Sequence, residues 1–100
     1  MRQFDVCPNP SGATRAYAPY VVVLQSHYLD LETIAIAPLV TDARPLEPID
    51  LAVELNGEPF VLAISEIGSV SRTRLKRRLG SLTEYEDDIR RALERLFSGF

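Results

Sequence analysis

The chain has 100 residues, with 46% hydrophobic and 25% charged side chains and a formal net charge of −3. This length and composition are typical of one small globular domain, and we expect residues 1–100 to form a single domain. No stretch has the apolar run of a signal peptide or membrane span, so the sequence predicts a soluble, cytoplasmic protein without a membrane partner. The negative net charge does not favour nucleic-acid binding, and a single cysteine excludes an internal disulfide.

The first half of the chain predicts extended structure. Residues 3–7 alternate apolar and polar side chains, which indicates a short first strand. Residues 20–25 are continuous and β-branched, as expected for a central strand covered on both faces. Residues 33–40 form another extended stretch, in which Pro38 indicates a sheet edge or a bulge. Two prolines in residues 42–48 predict a loop.

The clearest sheet signal is a hairpin around Asn56-Gly57. Apolar and polar residues alternate over residues 49–53 and again over residues 60–64. Asn-Gly favours a type I′ turn, because both of its positions require positive φ. The predicted cross-strand pairs are Val53 with Phe60, Leu51 with Leu62, and Ile49 with Ile64.

Residues 65–82 carry weaker signals. Residues 67–70 read as extended, whereas three leucines further on suit either a helix or a strand. A basic run covers residues 72–78. It is either a binding site for phosphates or for an acidic partner, or an ordinary solvent-exposed face. The leucines are Leu75, Leu79 and Leu82, and the basic residues are Arg72, Arg74, Lys76, Arg77 and Arg78.

The last eighteen residues predict an amphipathic helix. Thr83 and Glu86 have the spacing of a capping box, so we expect the helix to begin at Thr83. Ion pairs are expected between residues 86 and 90 and between residues 87 and 91. The apolar stripe of helical period contains Tyr85, Ile89, Ala92, Leu93, Leu96, Phe97 and Phe100. Strands followed by one helix predict an α+β domain, an antiparallel sheet or small barrel on which the helix packs.

Several segments together resemble the CcdB family of toxins from toxin–antitoxin modules. The similarity extends nearly end to end, and the segments occur in the family's order. They are F-D-V at 4–6, V-V-V-L-Q-S at 21–26, I-A-P-L at 36–39, L-A-V-E-L-N-G-E-P-F at 51–60, and Y-E-D-D-I-R-R-A-L-E-R-L-F-S-G-F at 85–100.

The resemblance implies both a fold and a function. The implied fold is a mainly β, SH3-like antiparallel barrel with a small accessory sheet and one C-terminal α-helix, assembled as a homodimer. The implied function is that of a type II toxin that binds the A subunit of DNA gyrase, traps the topoisomerase and is neutralised by a CcdA-type antitoxin. Such a toxin contacts operator DNA only through its antitoxin, and it serves plasmid maintenance and transcription autoregulation.

The same resemblance assigns gyrase binding to Ser98, Gly99 and Phe100. In the family the chain ends in Trp-Gly followed by a hydrophobic residue, and the Trp stacks on an arginine of gyrase. Gly99 and Phe100 match that pattern, whereas Ser98 lacks the aromatic ring. The alternative is a frayed helix end whose phenylalanines fold onto the core, which the stripe favours for Phe97.

Catalytic chemistry has little support in the sequence. Cys7 and His27 are a conceivable nucleophile and base, but the sequence indicates no further residue that would complete a catalytic site with them. One Cys and one His do not indicate a metal site, and no Gly-rich phosphate loop is present. The sequence therefore predicts a binding protein that is not an enzyme and has no catalytic residues, metal or cofactor. Two alternatives stay open, namely a barrel-fold endoribonuclease toxin of the MazF type and a non-toxic relic that retains dimerisation and antitoxin binding.

Overall fold

The computed structural model describes residues 1–41, 44 and 49–98. The expected loop at 42–48 and the tail residues Gly99 and Phe100 therefore lie wholly or mostly outside the described residues. The described part of the chain forms strands followed by one α-helix. The elements are β1 (Asp5–Pro8), β2 (Tyr20–Val23), β3 (Thr33–Val40), β4 (Leu51–Leu55), β5 (Glu58–Leu62), β6 (Gly68–Ser71), β7 (Gly80–Ser81) and α1 (Glu86–Ser98).

The strands form one curled antiparallel sheet in the order β4-β5-β3-β2-β1-β7, with β6 paired to β3 outside this path. A Cβ added to Gly80, on the terminal strand β7, would lie 3.2 Å from a methyl group of Leu55, on the opposite terminal strand β4. The two ends of the sheet therefore approach each other, and the sheet curls into a half-barrel. The predicted architecture, an antiparallel barrel with a C-terminal helix, is confirmed.

Strand β2 contributes side chains to both faces of the sheet. Val22 belongs to the main core, which lies between the inner face of the sheet and α1. Val21 and Val23 belong to a smaller cluster on the other face, which is covered by Leu75. This arrangement confirms the predicted central strand, because a strand buried on both faces needs apolar residues at consecutive positions.

Pro38 lies in the middle of the sheet and not at an edge. It pairs with Val21 of β2, and its carbonyl accepts a hydrogen bond of 3.0 Å from the Ala63 N–H on the opposite side. In an antiparallel strand the N–H and C=O of one residue point to the same side, so the missing N–H of Pro38 faces that side too. On that side β3 changes partner from β6 to β5, and Pro38 belongs to neither ladder. Of the two predicted settings, a sheet edge or a bulge, the edge is wrong, since a change of partner inside the sheet also accommodates the proline.

The predicted hairpin is confirmed in turn and register. Asn56 and Gly57 have φ values of 53° and 81°, as a type I′ turn requires. Val53 pairs with Phe60 and Leu51 with Leu62, but the ladder does not extend to the predicted pair of Ile49 and Ile64. At that end a 3₁₀ turn begins at Ile64, and the buried carboxylate of Asp50 accepts a hydrogen bond of 2.9 Å from the Ser65 N–H. The Asp50 side chain thus replaces a backbone hydrogen bond of the ladder.

Replacing Gly57 by Val tests the turn. Gly57 has a φ of 81°, which a β-branched residue adopts only with strain, although no atom would contact the new Cβ. We expect Gly57→Val to lower the free energy of unfolding by more than about 1 kcal/mol, measured by urea denaturation. Gly12→Val, at an exposed site equally open around the new Cβ and without positive φ, is the control and should change stability much less. Equal effects would show that strain at Gly57 is not the cause.

Residues 65–82 contain two short strands, β6 and β7, separated by a 3₁₀ turn over Arg72–Arg74 and an irregular segment. Strand β6 confirms the extended structure predicted for residues 67–70. Leu75 and Leu82 are buried, whereas Leu79 is exposed, and none of the three is helical. Strand β1 begins only at Asp5, because Phe4 has a φ of 70° and leaves strand geometry.

Helix α1 begins at Glu86, after a 3₁₀ turn over Thr83–Tyr85. The predicted capping box is wrong, because the Thr83 hydroxyl bonds with the Ser81 hydroxyl and the Glu86 carboxylate accepts a hydrogen bond of 3.0 Å from Arg90. That contact confirms the predicted pair between residues 86 and 90. In the other pair, Arg91 contacts Asp88 at 2.9 Å instead of its neighbour at position 87.

Within the described residues, no helix has the length and apolar character needed to cross a membrane.

Candidate functional site

Helix α1 is held against the sheet by the first three-quarters of its length. Ile89 and Ala92 are fully buried in the main core, and Leu93 and Leu96 pack against it while partly exposed. Just before the helix, the Tyr85 hydroxyl accepts a hydrogen bond of 3.0 Å from the backbone N–H of Glu54 in the edge strand β4. These contacts fix the direction of the helix and therefore the position of its C-terminal end.

Phe97 lies on the solvent side of this end. Its side chain is 75% exposed, although it belongs to the apolar stripe that predicted burial on the core. Ile89 and Ala92 are fully buried and Leu96 is partly buried, whereas Phe97, on the same last turn as Leu96, lies at the solvent-facing border of the apolar stripe. The prediction that Phe97 folds onto the core is wrong, and an exposed aromatic ring is presented to solvent instead.

Ser98 is the one residue of the predicted gyrase-binding set that the structure describes. It is exposed, and its hydroxyl donates a hydrogen bond to the Glu94 carbonyl one turn earlier. This bond satisfies one of the four carbonyls that a helix leaves unpaired at its C-terminus. Ser98 thus has a structural contact of its own, and its aromatic neighbour Phe97 offers the larger contact surface.

A second exposed apolar surface, which the sequence patterns did not identify, lies in the turn between β2 and β3. Tyr28, Leu29 and Leu31 are 84%, 57% and 51% exposed. Leu29 and Leu31 border a cleft of about 540 Å³ beside the N-terminus and Arg72. The signal was present in the sequence, because apolar residues in a turn have no strand or helix periodicity that would bury them. We call Tyr28, Leu29 and Leu31 the apolar loop.

The basic run of residues 72–78 is divided between different neighbours. Arg72 pairs with Asp30 in the turn after β2, and Arg78 pairs at 2.9 Å with the buried carboxylate of Asp5 in β1. The two ends of the run are therefore neutralised by carboxylates from other parts of the chain. The middle of the run contacts no carboxylate among the described residues.

Cys7 and His27 are not arranged as a nucleophile and base. The Cys7 thiol is buried and lies 3.5 Å from the Met1 sulfur, whereas Nε2 of His27 lies 3.2 Å from the Arg2 guanidinium. Burial, and to a lesser extent the nearby charge of Asp5, raises the pKa of the Cys7 thiol, which keeps it protonated near neutral pH. Among the residues described, no three His, Cys, Asp or Glu side chains gather as metal ligands would.

The curled antiparallel sheet with one C-terminal helix defines a small half-barrel fold. A family model described as CcdB protein matches residues 3–99, so the chain belongs to the CcdB family of toxins from toxin–antitoxin systems. The resemblance of the sequence segments is thereby confirmed. No curated protein matches the chain.

A solved structure of the Mycobacterium tuberculosis toxin MazF-mt6 is similar to this chain. The TM-score is 0.74, and the superposition covers 97% of each chain at 21% sequence identity. At this level of identity the similarity concerns the fold alone.

Proposed function

We propose that this toxin binds the A subunit of DNA gyrase with the C-terminal end of α1 and inhibits the topoisomerase. Membership of the CcdB family supports this target, since poisoning gyrase is the activity that the family resemblance implies. Neutralisation by a CcdA-type antitoxin belongs to the same proposal, as does action by binding and without a cofactor. Because gyrase acts on the chromosome, the proposal places the protein in the cytoplasm.

The observation that carries the proposal is the exposure of Phe97. Its ring is 75% exposed on the last turn of a helix whose earlier turns are anchored in the core. A guanidinium stacked on an aromatic ring contributes about 1–2 kcal/mol when both groups leave water. We propose that Phe97 supplies the ring that the family carries at the position of Ser98, and that Gly99 and Phe100 extend the contact.

A supercoiling assay with purified protein tests the target. We expect the protein to inhibit gyrase-dependent supercoiling of a relaxed plasmid and to increase the amount of cleaved DNA when the complex is denatured. Relaxation of the supercoiled form of this plasmid by a type I topoisomerase is the control and should be unaffected. Undisturbed supercoiling at excess toxin would contradict the proposal, and cleavage of RNA by the same preparation would favour the ribonuclease alternative.

We also propose that the protein is a homodimer. The apolar loop leaves the large side chains of Tyr28, Leu29 and Leu31 in water, and apolar patches of this kind mark interaction surfaces. A two-fold interface of standard size, about 1,600 Å² in total, would cover a surface of this kind. Light scattering at micromolar concentration should give twice the 11.2 kDa mass of the chain. A single species of the chain mass would show that the apolar surface serves another partner.

A further inference from the structure

The first two residues, Met1 and Arg2, lie against β1 and the turn between β2 and β3, and we call them the N-terminal clasp. The Met1 sulfur lies 3.5 Å from the sulfur of Cys7 in β1. A terminal nitrogen of Arg2 lies 3.2 Å from Nε2 of His27 in the turn. Met1 and His27 also line the same cleft of about 540 Å³. The clasp therefore joins β1 to the turn that carries the apolar loop.

The contact between Arg2 and His27 requires a neutral imidazole ring. A guanidinium has only N–H donors, so Nε2 of His27 must accept the hydrogen bond and cannot carry a proton. The single proton of the neutral ring then lies on Nδ1, which is buried and has no hydrogen-bond partner among the described residues. A protonated ring needs an acceptor at each nitrogen, and neither nitrogen of His27 has one.

The other charged groups around His27 would not compensate a positive charge on its ring. Asp30 lines the same cleft, but its carboxylate pairs with Arg72 from the segment after β6. Met1, which also lines the cleft, carries an amino group, a cation like the Arg2 guanidinium. A protonated ring would therefore face the cations of the clasp, and it has no ion pair of its own among the described residues.

The backbone beside the clasp is held independently of the imidazole ring. Nε2 of Gln3 donates a hydrogen bond of 2.9 Å to the Leu24 carbonyl, and the Arg2 backbone N–H donates one of 2.8 Å to the Asp5 carboxylate. These bonds keep Gln3 and the Arg2 backbone in place when the imidazole contact is lost. The parts that can then move are the Arg2 side chain and Met1.

We propose that protonation of His27 opens the N-terminal clasp, which makes the clasp a pH-sensitive device of this fold. Imidazole is the side chain that changes its charge between about pH 5 and pH 8. The neutral ring accepts the Arg2 hydrogen bond, whereas the protonated ring cannot accept it and repels the guanidinium. The ring centre also lies 4.3 Å from that of Tyr28, so its displacement reaches the apolar loop. This inference goes beyond the proposed function and does not depend on gyrase.

Carbon NMR of the Met1 methyl group tests the proposal, because the chain has one methionine and one histidine. In protein labelled at the methionine methyl carbon, a single signal reports whether Met1 lies against Cys7. We expect this signal to move toward the position of free methionine as the pH falls from about 8 to about 5.5. Cys7, which is fully buried, should become accessible over the same range. Its rate of modification by a dipyridyl disulfide, divided by the rate in urea-unfolded protein at the same pH, should rise about fivefold or more.

His27→Gln is the deciding variant, because the glutamine amide can accept the Arg2 hydrogen bond but is not protonated in this range. Its methyl signal and its Cys7 modification ratio should be the same at both pH values. Asp30→Asn is the matched control, since it removes the carboxylate that lines the same cleft, and it should keep the pH dependence of the wild type.

The proposal is overturned if the wild type gives the same signal at both pH values, if His27→Gln keeps the pH dependence, or if Asp30→Asn abolishes it. Circular dichroism at both pH values shows whether the sheet and helix stay folded. A loss of that signal at the lower pH would mean that acid unfolds the whole domain, which would also overturn the proposal. No topoisomerase is present in these measurements, so their failure would leave the proposed function untouched.

Discussion

Phe97→Ala should abolish growth arrest on induced expression and raise the toxin concentration needed for half-inhibition of supercoiling about tenfold or more. The physical reason is that the variant removes an exposed ring at the helix end, where the proposed gyrase contact lies. The ring is 75% exposed, so its removal leaves no cavity and should shift Tm by no more than about 1 °C. Circular dichroism on the same preparation measures Tm.

Leu96→Ala is the matched control for this prediction. Leu96 is adjacent in sequence, but it packs partly against the main core. Its truncation should lower Tm while leaving gyrase inhibition by the folded fraction nearly unchanged. If Phe97→Ala inhibits supercoiling as well as the wild type does, the helix end is not the gyrase contact, and the exposure of Phe97 no longer supports the proposed function.

Short-range patterns predicted most of the local structure. The Asn56-Gly57 turn, the register of Val53 with Phe60 and the helical stripe around Ile89 follow from residue spacing alone. Two-face burial of β2 followed from its consecutive β-branched residues. Each of these depends on interactions between residues that are close in sequence or on one local periodicity.

Features that depend on distant parts of the chain were not predictable in the same way. Pro38 was expected at an edge or a bulge, because the local sequence does not show that β3 changes partner beside it. The basic run gave no indication that Asp5, more than seventy residues away, pairs with Arg78.

The candidate site shows the same limit. Helical periodicity places Phe97 at the border of the apolar stripe, but it does not indicate whether the sheet covers that border. The aromatic ring was therefore expected in the core, and gyrase binding was assigned to Ser98, whose hydroxyl bonds to the Glu94 carbonyl. The predicted contacts at Gly99 and Phe100 stay predictions, because they lie outside the described residues.

Ile89→Ala should have the largest effect on stability. Ile89 is fully buried in the main core and is the large side chain by which α1 is anchored to the sheet. Removing three carbons from such a site loses transfer free energy and leaves a cavity, which together cost about 2–5 kcal/mol. We therefore expect Tm to fall by more than about 10 °C in thermal denaturation.

Arg91→Ala provides the control on the opposite face of the helix. Arg91 is exposed and pairs only with the exposed carboxylate of Asp88, so its removal should change stability by less than about 1 kcal/mol. A variant with unchanged Tm would show that α1 is not held to the sheet through Ile89. The position of the exposed ring would then have another cause.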